Sequence, residues 1–244
     1  MSGRGSVGTA LHRMVYEVKT IVAQYPRLAL PVARRRHGVP FGPGTDIVIE
    51  GFPRTGTTFA VVAFERAQPD PVRVACDVHA PAQLIAAARS AVPALVVIRE
   101  PQDTVLSFVI RHQQVSIQQA LRGYIRFYTP LIKHLDSLVV GSFEEITTDF
   151  GAVIERVNRR FETAFAPFEH TEENVRACFA QIDADFGTRV SGLALERSVA
   201  RPSNVRAGIK EDLRDRYLAP SLQNRRLQAD RTYRAFVSDR APRN

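Results

Sequence analysis

The chain has 244 residues, of which 45% are hydrophobic and 24% are charged, as in an ordinary soluble globular protein. No apolar run approaches the roughly 20 residues that a membrane-spanning helix needs, and the start of the chain lacks the apolar core of a signal peptide. Cys76 and Cys178 form neither a disulfide framework nor a metal-binding spacing, so we expect a cytoplasmic, reducing compartment. The net charge of +8 favours anionic partners such as nucleotides or an acidic membrane surface.

Residues 9–25 are predicted to form an amphipathic helix that Pro26 ends. Its apolar side chains recur at helical spacing and form one stripe: Leu11, Met14, Val15, Val18, Ile21 and Val22. Residues 31–44 are rich in proline and glycine, contain three consecutive arginines, and are predicted to form an irregular basic arm. We expect the stripe to pack on its own domain; peripheral contact with an anionic membrane is the alternative.

From residue 46 onward, short apolar strands alternate with helices, which indicates a parallel sheet covered by helices on both faces. The predicted strands are residues 46–50, 72–76, 94–98 and 138–142. Helices are predicted at residues 57–67, 82–90, 103–112 and from Ser116, then at 149–161, 172–185 and 209–237, with a loop from 187 to 208.

The first strand leads through residues 51–58 (GFPRTGTT) into a helix. Backbone N–H groups at such a junction, with glycines that allow close approach, suit a bound phosphate. Compared with the nucleotide loop GxxxxGK[ST], the two glycines and the final threonine fit, but Thr57 stands where the lysine is expected. Arg54 supplies a cation from within the loop instead, so the positive charge approaches the phosphate from another side.

The third strand ends at Arg99, where ligands bind in open α/β sheets. Kinases and GTPases usually place a magnesium-binding aspartate at the end of a core strand. An arginine favours a phosphate instead, and Ser107 follows two helical turns later. This pattern favours a donor with two separate phosphate groups and no metal over ATP.

These two stretches resemble motifs of the PAPS-dependent sulfotransferases. GFPRTGTT resembles their 5′-phosphosulfate loop, written PKxGTTW or PRSGTT, and residues 99–107 resemble their 3′-phosphate motif. The resemblance covers about residues 45–150. It implies transfer of a sulfuryl group from PAPS (3′-phosphoadenosine 5′-phosphosulfate) to a hydroxyl or amine acceptor, without metal, leaving PAP (3′,5′-adenosine bisphosphate).

The resemblance also implies roles for single residues. Arg54 would be catalytic, stabilising the charge on the bridging oxygen as the sulfuryl group leaves. The 5′-phosphosulfate would be bound by Arg54, Thr55, Gly56, Thr57, Thr58 and Phe59. The 3′-phosphate would be bound by Arg99 and Ser107, and residues 201–210 resemble the loop that closes over it, where Arg201 or Arg206 would reach the phosphate.

His79 lies in residues 77–81 (DVHAP), which resemble the family's THLP segment, whose histidine is the general base. A histidine with a pKa near the operating pH can take the acceptor's proton. Asp77 replaces a lysine that cytosolic members often have, and it either orients His79 or is itself the base. Residues 143–146 resemble the YEDL segment, but Phe143 replaces its tyrosine.

The predicted fold is a P-loop-like, three-layer α/β fold with a central parallel sheet and a helical C-terminal region. Residues 1–44 form the amphipathic helix and basic arm. Residues 45–244 form a single domain, with a nucleotide core at 45–150 and a helical acceptor or closing region at 151–244. We expect a small-molecule, carbohydrate or lipid acceptor, and nucleic acid is the least expected partner.

Two other functions stay open. A kinase or NTPase with an aberrant loop would need Mg²⁺ and the lysine that Thr57 replaces. A non-catalytic module that binds anionic lipid or nucleic acid on the same scaffold is favoured by the basic charge and by the departures at Asp77 and Phe143.

Overall fold

The structure is a computed structural model that describes residues 3–33, 38–187 and 204–238. Helices α1 (Gly3–Val22) and α2 (Pro26–Ala33) precede the sheet. The strands are β1 (Ile47–Gly51), β2 (Val74–Ala75), β3 (Ala94–Ile98) and β4 (Val139–Ser142). The other helices are α3 (Thr57–Ala67), α4 (Pro81–Arg89), α5 (Pro101–Arg111), α6 (Ile117–Tyr128), α7 (Phe143–Thr148), α8 (Phe150–Phe161), α9 (Glu172–Gly187), α10 (Asn204–Leu218) and α11 (Gln223–Val237), with 3₁₀ segments at Thr129–Ser137 and Pro220–Leu222.

The strands form one parallel sheet in the order β2-β1-β3-β4. In the register of the sheet, Val48 lies opposite Ala94 and Leu95 lies opposite Val139. The chain moves to one side of β1 to form β2 and to the other side to form β3, so the order reverses between β1 and β3. A crevice opens at the carboxyl ends of strands at such a reversal.

Each face of the sheet is buried under helices because alternate strand residues point to opposite sides. One core joins Val48, Val96 and Ile98 to side chains of α4, α5, α6 and α11. The other joins Ile49, Leu95 and side chains of α3, α8 and α9. The predicted fold class, a central parallel sheet flanked by helices, is confirmed.

The predicted packing of the first helix is wrong. Residues 3–22 are helical, but the apolar stripe faces outward, with Met14 60% exposed and Val18 55% exposed. Pro26 begins a second helix, α2, because proline fits the first turn of a helix, where its missing N–H is not needed. Pro31 lies inside α2, so part of the predicted irregular arm is helical. Among the residues that the structure describes, no helix is long and apolar enough to cross a membrane.

The C-terminal helical region is divided. The predicted helix at residues 209–237 is two helices, α10 and α11, separated at Pro220, which cannot supply a backbone N–H to continue the first. Helix α10 already begins at Asn204, inside the predicted loop. Phe236 of α11 is fully buried against Tyr128 of α6, with ring centroids 5.3 Å apart, so α11 packs on the same face of the sheet as α6.

Candidate functional site

The loop after β1 lies at the carboxyl edge of the sheet, beside the crevice. Gly51 is required there because a Cβ atom would lie 2.5 Å from the carbonyl oxygen of Val97 on β3. Gly56, with φ of 96°, adopts the left-handed conformation that glycine tolerates, and it begins α3 without a side-chain cap. No side chain caps the first turn of α3, and an uncapped helix start of this kind suits an anion.

Tyr128 fixes this loop to the sheet. Its hydroxyl donates to the carbonyl of Val97 at 2.8 Å and accepts from the backbone N–H of Phe52 at 3.2 Å. Thr55 adds an internal bond, since its hydroxyl donates to the carbonyl of Phe52 at 2.8 Å. The loop is therefore held in one shape before any ligand binds.

Arg54 joins the two motifs that the sequence singled out. Its Nε donates to Oγ of Ser107, on α5, at 3.1 Å. The backbone of Arg54 is left-handed, with φ of 77°. The cation of the first motif and the serine of the second, 53 positions apart in the chain, are thus in direct contact.

Arg99 reaches the same loop through Phe143. Its guanidinium carbon lies 3.9 Å from the centroid of the Phe143 ring. The same ring covers the loop, because a Cβ on Gly56 would lie 3.1 Å from it. The hydroxyl of Tyr124 donates to the carbonyl of Arg99 at 2.9 Å and fixes the strand end. Phe143, the tyrosine replacement in the predicted YEDL-like segment, thus packs between Arg99 and the loop.

Lys210 of α10 lies beside Arg99, and the sequence analysis did not single it out. Asp103 pairs with Arg99 at 3.0 Å through one carboxylate oxygen and with Lys210 through the other. Burial alone would raise the pKa of Asp103. Hydrogen bonds and charges from Lys210 and Arg99 outweigh burial and lower this pKa overall, so the carboxylate form is favoured. Lys210 stands in the segment 201–210 that drew attention to Arg201 and Arg206, but no spacing rule singled it out.

His79 is held by Glu50, a second residue that the sequence analysis missed. Glu50 is completely buried at the end of β1. Its carboxylate accepts backbone N–H bonds from Gly51, Val78 and His79, each at 3.0 Å, and a side-chain bond from Gln83 at 3.2 Å. A strand residue among apolar neighbours carries no local signal of such a network.

The contacts of the His79 ring define which nitrogen is basic. Nδ1 lies 3.2 Å from the carbonyl oxygen of Gly51 and 3.4 Å from Oε1 of Glu50. Both partners are acceptors, so Nδ1 carries the proton and Nε2 keeps the lone pair in the neutral ring. Burial by itself lowers the pKa of His79, but the hydrogen bond and charge of Glu50, with the charge of Asp77, outweigh it and raise the pKa above 6.5.

Backbone strain concentrates at this edge. Among the described residues, five non-glycine residues have positive φ, and three of them are Arg54, Asp77 and His79. Such conformations persist only where surrounding contacts enforce them, and they cluster at functional sites. Asp77 itself is exposed and acts on His79 through its charge, whereas the ring contacts belong to Glu50 and Gly51. Whether Asp77 serves as a base stays a prediction.

A second histidine, to which the sequence assigned no role, lies within electrostatic reach of the same edge. His112 follows α5 and stacks on Phe108 with ring centroids 4.5 Å apart. Burial, and then the charges of Arg111 and Arg54, lower the pKa of His112 to about 4. The pKa values of the two imidazoles therefore shift in opposite directions: burial and then cationic neighbours lower that of His112, whereas Glu50 outweighs burial and raises that of His79.

The remaining predicted residues are placed less completely. Thr57 is buried and Thr58 is partly exposed in the first turn of α3, while the ring of Phe59 packs in the second core against Phe179. Only the backbone of Phe59 can face the crevice. Arg201 and the side chain of Arg206 lie outside the described residues. In the described part of the chain, no group of three or more His, Cys, Asp or Glu side chains is placed to hold a metal ion.

A cavity of about 290 Å³ lies away from the loop, between α1, α5 and α10. It is lined by Arg13, Val109, Ile110, Gln113, Val115, Ser116, Ile117, Ile209, Leu213 and Arg216. Of the residues predicted to bind the nucleotide, none whose side chain the structure describes lines it, so this cavity lies apart from Arg54, Arg99 and Ser107.

Comparisons with known proteins found similarity among solved structures only. No family model and no curated protein matches the chain. Among solved structures, the chain is similar to mouse sulfotransferase SULT7A1 complexed with PAP, with a TM-score of 0.41 and 10% sequence identity. The likeness covers 75% of this chain and 93% of the mouse chain. A likeness this distant assigns no residue a role, so the roles depend on the contacts at the carboxyl edge.

Proposed function

We propose that the protein transfers a sulfuryl group from PAPS to a hydroxyl or amine acceptor. The observation that carries the proposal is the contact between Arg54 and Ser107, which joins the phosphosulfate-type loop to the 3′-phosphate-type motif. Together with Arg99 on the neighbouring strand, it gives one crevice with cations for two separate phosphate groups. A donor that carries a phosphate at each end of its ribose fits this arrangement better than a triphosphate.

In this proposal the uncapped start of α3 and the loop N–H groups hold the 5′-phosphosulfate. Thr57 and Thr58 lie in that first turn, and Gly56 allows the close approach. The loop is fixed by Tyr128 before binding, so little ordering cost falls on the donor.

Arg99 and Lys210 are proposed to hold the 3′-phosphate with Ser107. Asp103 keeps the two cations side by side, and the ring of Phe143 keeps the guanidinium of Arg99 in place. An arginine stacked in this way loses little freedom when it binds a phosphate, which favours affinity.

His79 is proposed as the general base. As the acceptor oxygen or nitrogen forms its bond to sulfur, Nε2 of His79 takes the acceptor proton, and the bond between sulfur and the bridging oxygen breaks. The products are the sulfated acceptor and PAP. Glu50 keeps Nδ1 protonated and stabilises the imidazolium that forms.

Arg54 is proposed to stabilise the leaving group. As the bridging bond breaks, negative charge develops on the 5′-phosphate oxygen that becomes part of PAP. A guanidinium fixed at that position needs no reorganisation when the charge appears, and a single such interaction is commonly worth about 3 kcal/mol. The enforced backbone of Arg54 and its bond to Ser107 supply that fixed position.

The test uses purified protein, PAPS and panels of sugar, lipid and phenol acceptors, with formation of the sulfated acceptor as the readout. The matched donor control is adenosine 5′-phosphosulfate, which lacks only the 3′-phosphate. We expect turnover with PAPS, and a kcat/KM for the truncated donor that is lower by about 100-fold, because Arg99 and Lys210 lose their ligand.

Calorimetry separates the competing functions. Under the proposal, PAP binds more tightly than ATP in the presence of Mg²⁺. Tighter binding of ATP would favour a kinase or NTPase, and tight PAP binding without acceptor-dependent turnover on any panel would favour a non-catalytic module. Equal kcat/KM values for PAPS and adenosine 5′-phosphosulfate would contradict the proposed 3′-phosphate site.

A further inference from the structure

Helix α1 packs on the rest of the protein through its polar face. Glu17 accepts a bond from Nε of Arg122 at 3.1 Å and also pairs with Arg126, both on α6. Nε of Arg13 donates to the carbonyl of Gln114 at 3.0 Å. These contacts fix the rotation of α1 about its axis, with Glu17 turned toward α6.

The apolar face of α1 consequently faces outward. We define the apolar stripe as a set of eight side chains on α1, on α2 and between them, each between 43% and 60% exposed. Its members are Leu11, Met14, Val15, Val18, Ile21, Tyr25, Leu28 and Val32. Their helical spacing along α1 makes the surface continuous. Contiguous exposed apolar surfaces usually mark sites of contact with a partner or a membrane, because their exposure to water is unfavourable.

The charge around the stripe selects its occupant. Residues 1–37 contain seven lysines and arginines and one acidic residue, Glu17, a net charge of +6 within a chain of +8. Glu17 is bound to the two arginines of α6, whereas Lys19 of α1 and Arg27 of α2 are exposed. A second copy of the chain would bring the same positive charge against itself, which opposes a self-complementary contact. Anionic lipid headgroups attract the basic residues while acyl chains accept the apolar ones.

We propose that the apolar stripe and the basic residues of the same part of the sequence bind α1 and α2 to the surface of an anionic membrane. The helix axis lies parallel to that surface, and the polar face of α1 stays bonded to the protein. The inference does not depend on the sulfuryl-transfer proposal. In this proposal the ion pairs between Glu17 and α6 hold α1 with its apolar stripe facing the membrane.

The experiment is cosedimentation of the full chain with vesicles. One set is phosphatidylcholine alone and the other contains phosphatidylserine at about one part in four. We expect binding to the anionic vesicles to be at least about tenfold stronger, and to weaken as salt is raised.

The variant Met14→Gln with Val18→Gln keeps the charge and the helical preference but removes two stripe residues. We expect it to lose at least about tenfold in binding to the anionic vesicles.

The matched control is Leu218→Gln with Leu227→Gln, which alters two apolar residues of similar exposure, 49% and 47%, in α10 and α11. We expect this control to bind vesicles like the unaltered chain. Binding that is equal for both variants, or absent on anionic vesicles, overturns the proposal. Sedimentation velocity supplies the other arm: a dimer that dissociates in the Met14→Gln, Val18→Gln variant would assign the stripe to a second copy and overturn the membrane proposal.

Discussion

The carboxyl edge of the sheet and helix α1 are each anchored by one glutamate, but the two anchors differ in kind. Glu50 is completely buried, and three of its partners are backbone N–H groups whose positions the strand end and the 77–79 turn fix. The side chain of Glu17 is 23% exposed, and its partners are two arginine side chains on a neighbouring helix. The edge is therefore preorganised, as the proposed catalysis requires, whereas α1 is attached by ion pairs that a single substitution can weaken.

The largest expected effect is at the edge, from Arg54→Ala. We expect kcat to fall about 100- to 1000-fold, because the fixed cation at the leaving oxygen is lost. Arg54→Lys keeps the charge and should retain more activity. The control is Arg159→Ala, since that side chain is 68% exposed on α8 and far from the proposed chemistry. An Arg54→Ala enzyme with a wild-type kcat would mean that the edge binds anions but does not catalyse.

Arg99→Ala is expected to weaken PAP binding about 10- to 100-fold in calorimetry, the usual cost of a charged hydrogen bond. Arg99→Lys should recover only part of the affinity, because a lysine cannot stack on Phe143 and bind a phosphate in the same fixed plane. The same Arg159→Ala control applies. Unchanged affinity in Arg99→Ala would place the 3′-phosphate elsewhere and break the proposed link between the two motifs.

The parts of the edge that could be predicted from the sequence are those with local requirements. The loop of residues 51–58 could be predicted because two glycines and the start of a helix follow each other within one short stretch of sequence. Arg99 is evident because parallel strands end at a common edge. The strand and helix positions around them follow from runs of apolar residues with a clear period.

The remaining features depend on distant partners and leave no local trace. Glu50 reads as one polar residue in an apolar strand, and its donors come from residues up to 33 positions away. The orientation of α1 is decided by arginines more than 100 positions away, so its amphipathic pattern predicts a buried stripe when the reverse holds. Lys210 meets Asp103 only when α10 folds over α5. Pattern shows which faces a helix has, and only tertiary contacts decide which one is buried.

Glu50→Gln tests whether the edge anchor tunes the base. Because Glu50 raises the pKa of His79, activity in the unaltered enzyme should fall as pH drops through a value above 6.5, where Nε2 becomes protonated. The variant should move this acid limb of kcat/KM down by about one pH unit. NMR titration of His79 in the unaltered protein checks the same point without relying on a variant that loses a buried acceptor. A His79 pKa below 6.5 would contradict it.

The smallest expected effect is at the other anchor, from Glu17→Gln. Burial tends to raise the pKa of Glu17, but Arg122 and Arg126 lower it overall, so its stabilising effect is complete above the ordinary value of 4.5 and is lost as pH falls through the lowered folded-state pKa. We expect the variant to cost about 1 kcal/mol, seen as faster amide exchange in α1 at neutral pH while β1 and β3 keep their protection. Glu155→Gln is the control, because its i,i+4 pair with Arg159 is exposed. Equal loss of protection in α1 and in the strands would mean that α1 unfolds only with the whole protein, and that its ion pairs are as integral to the fold as the network around Glu50.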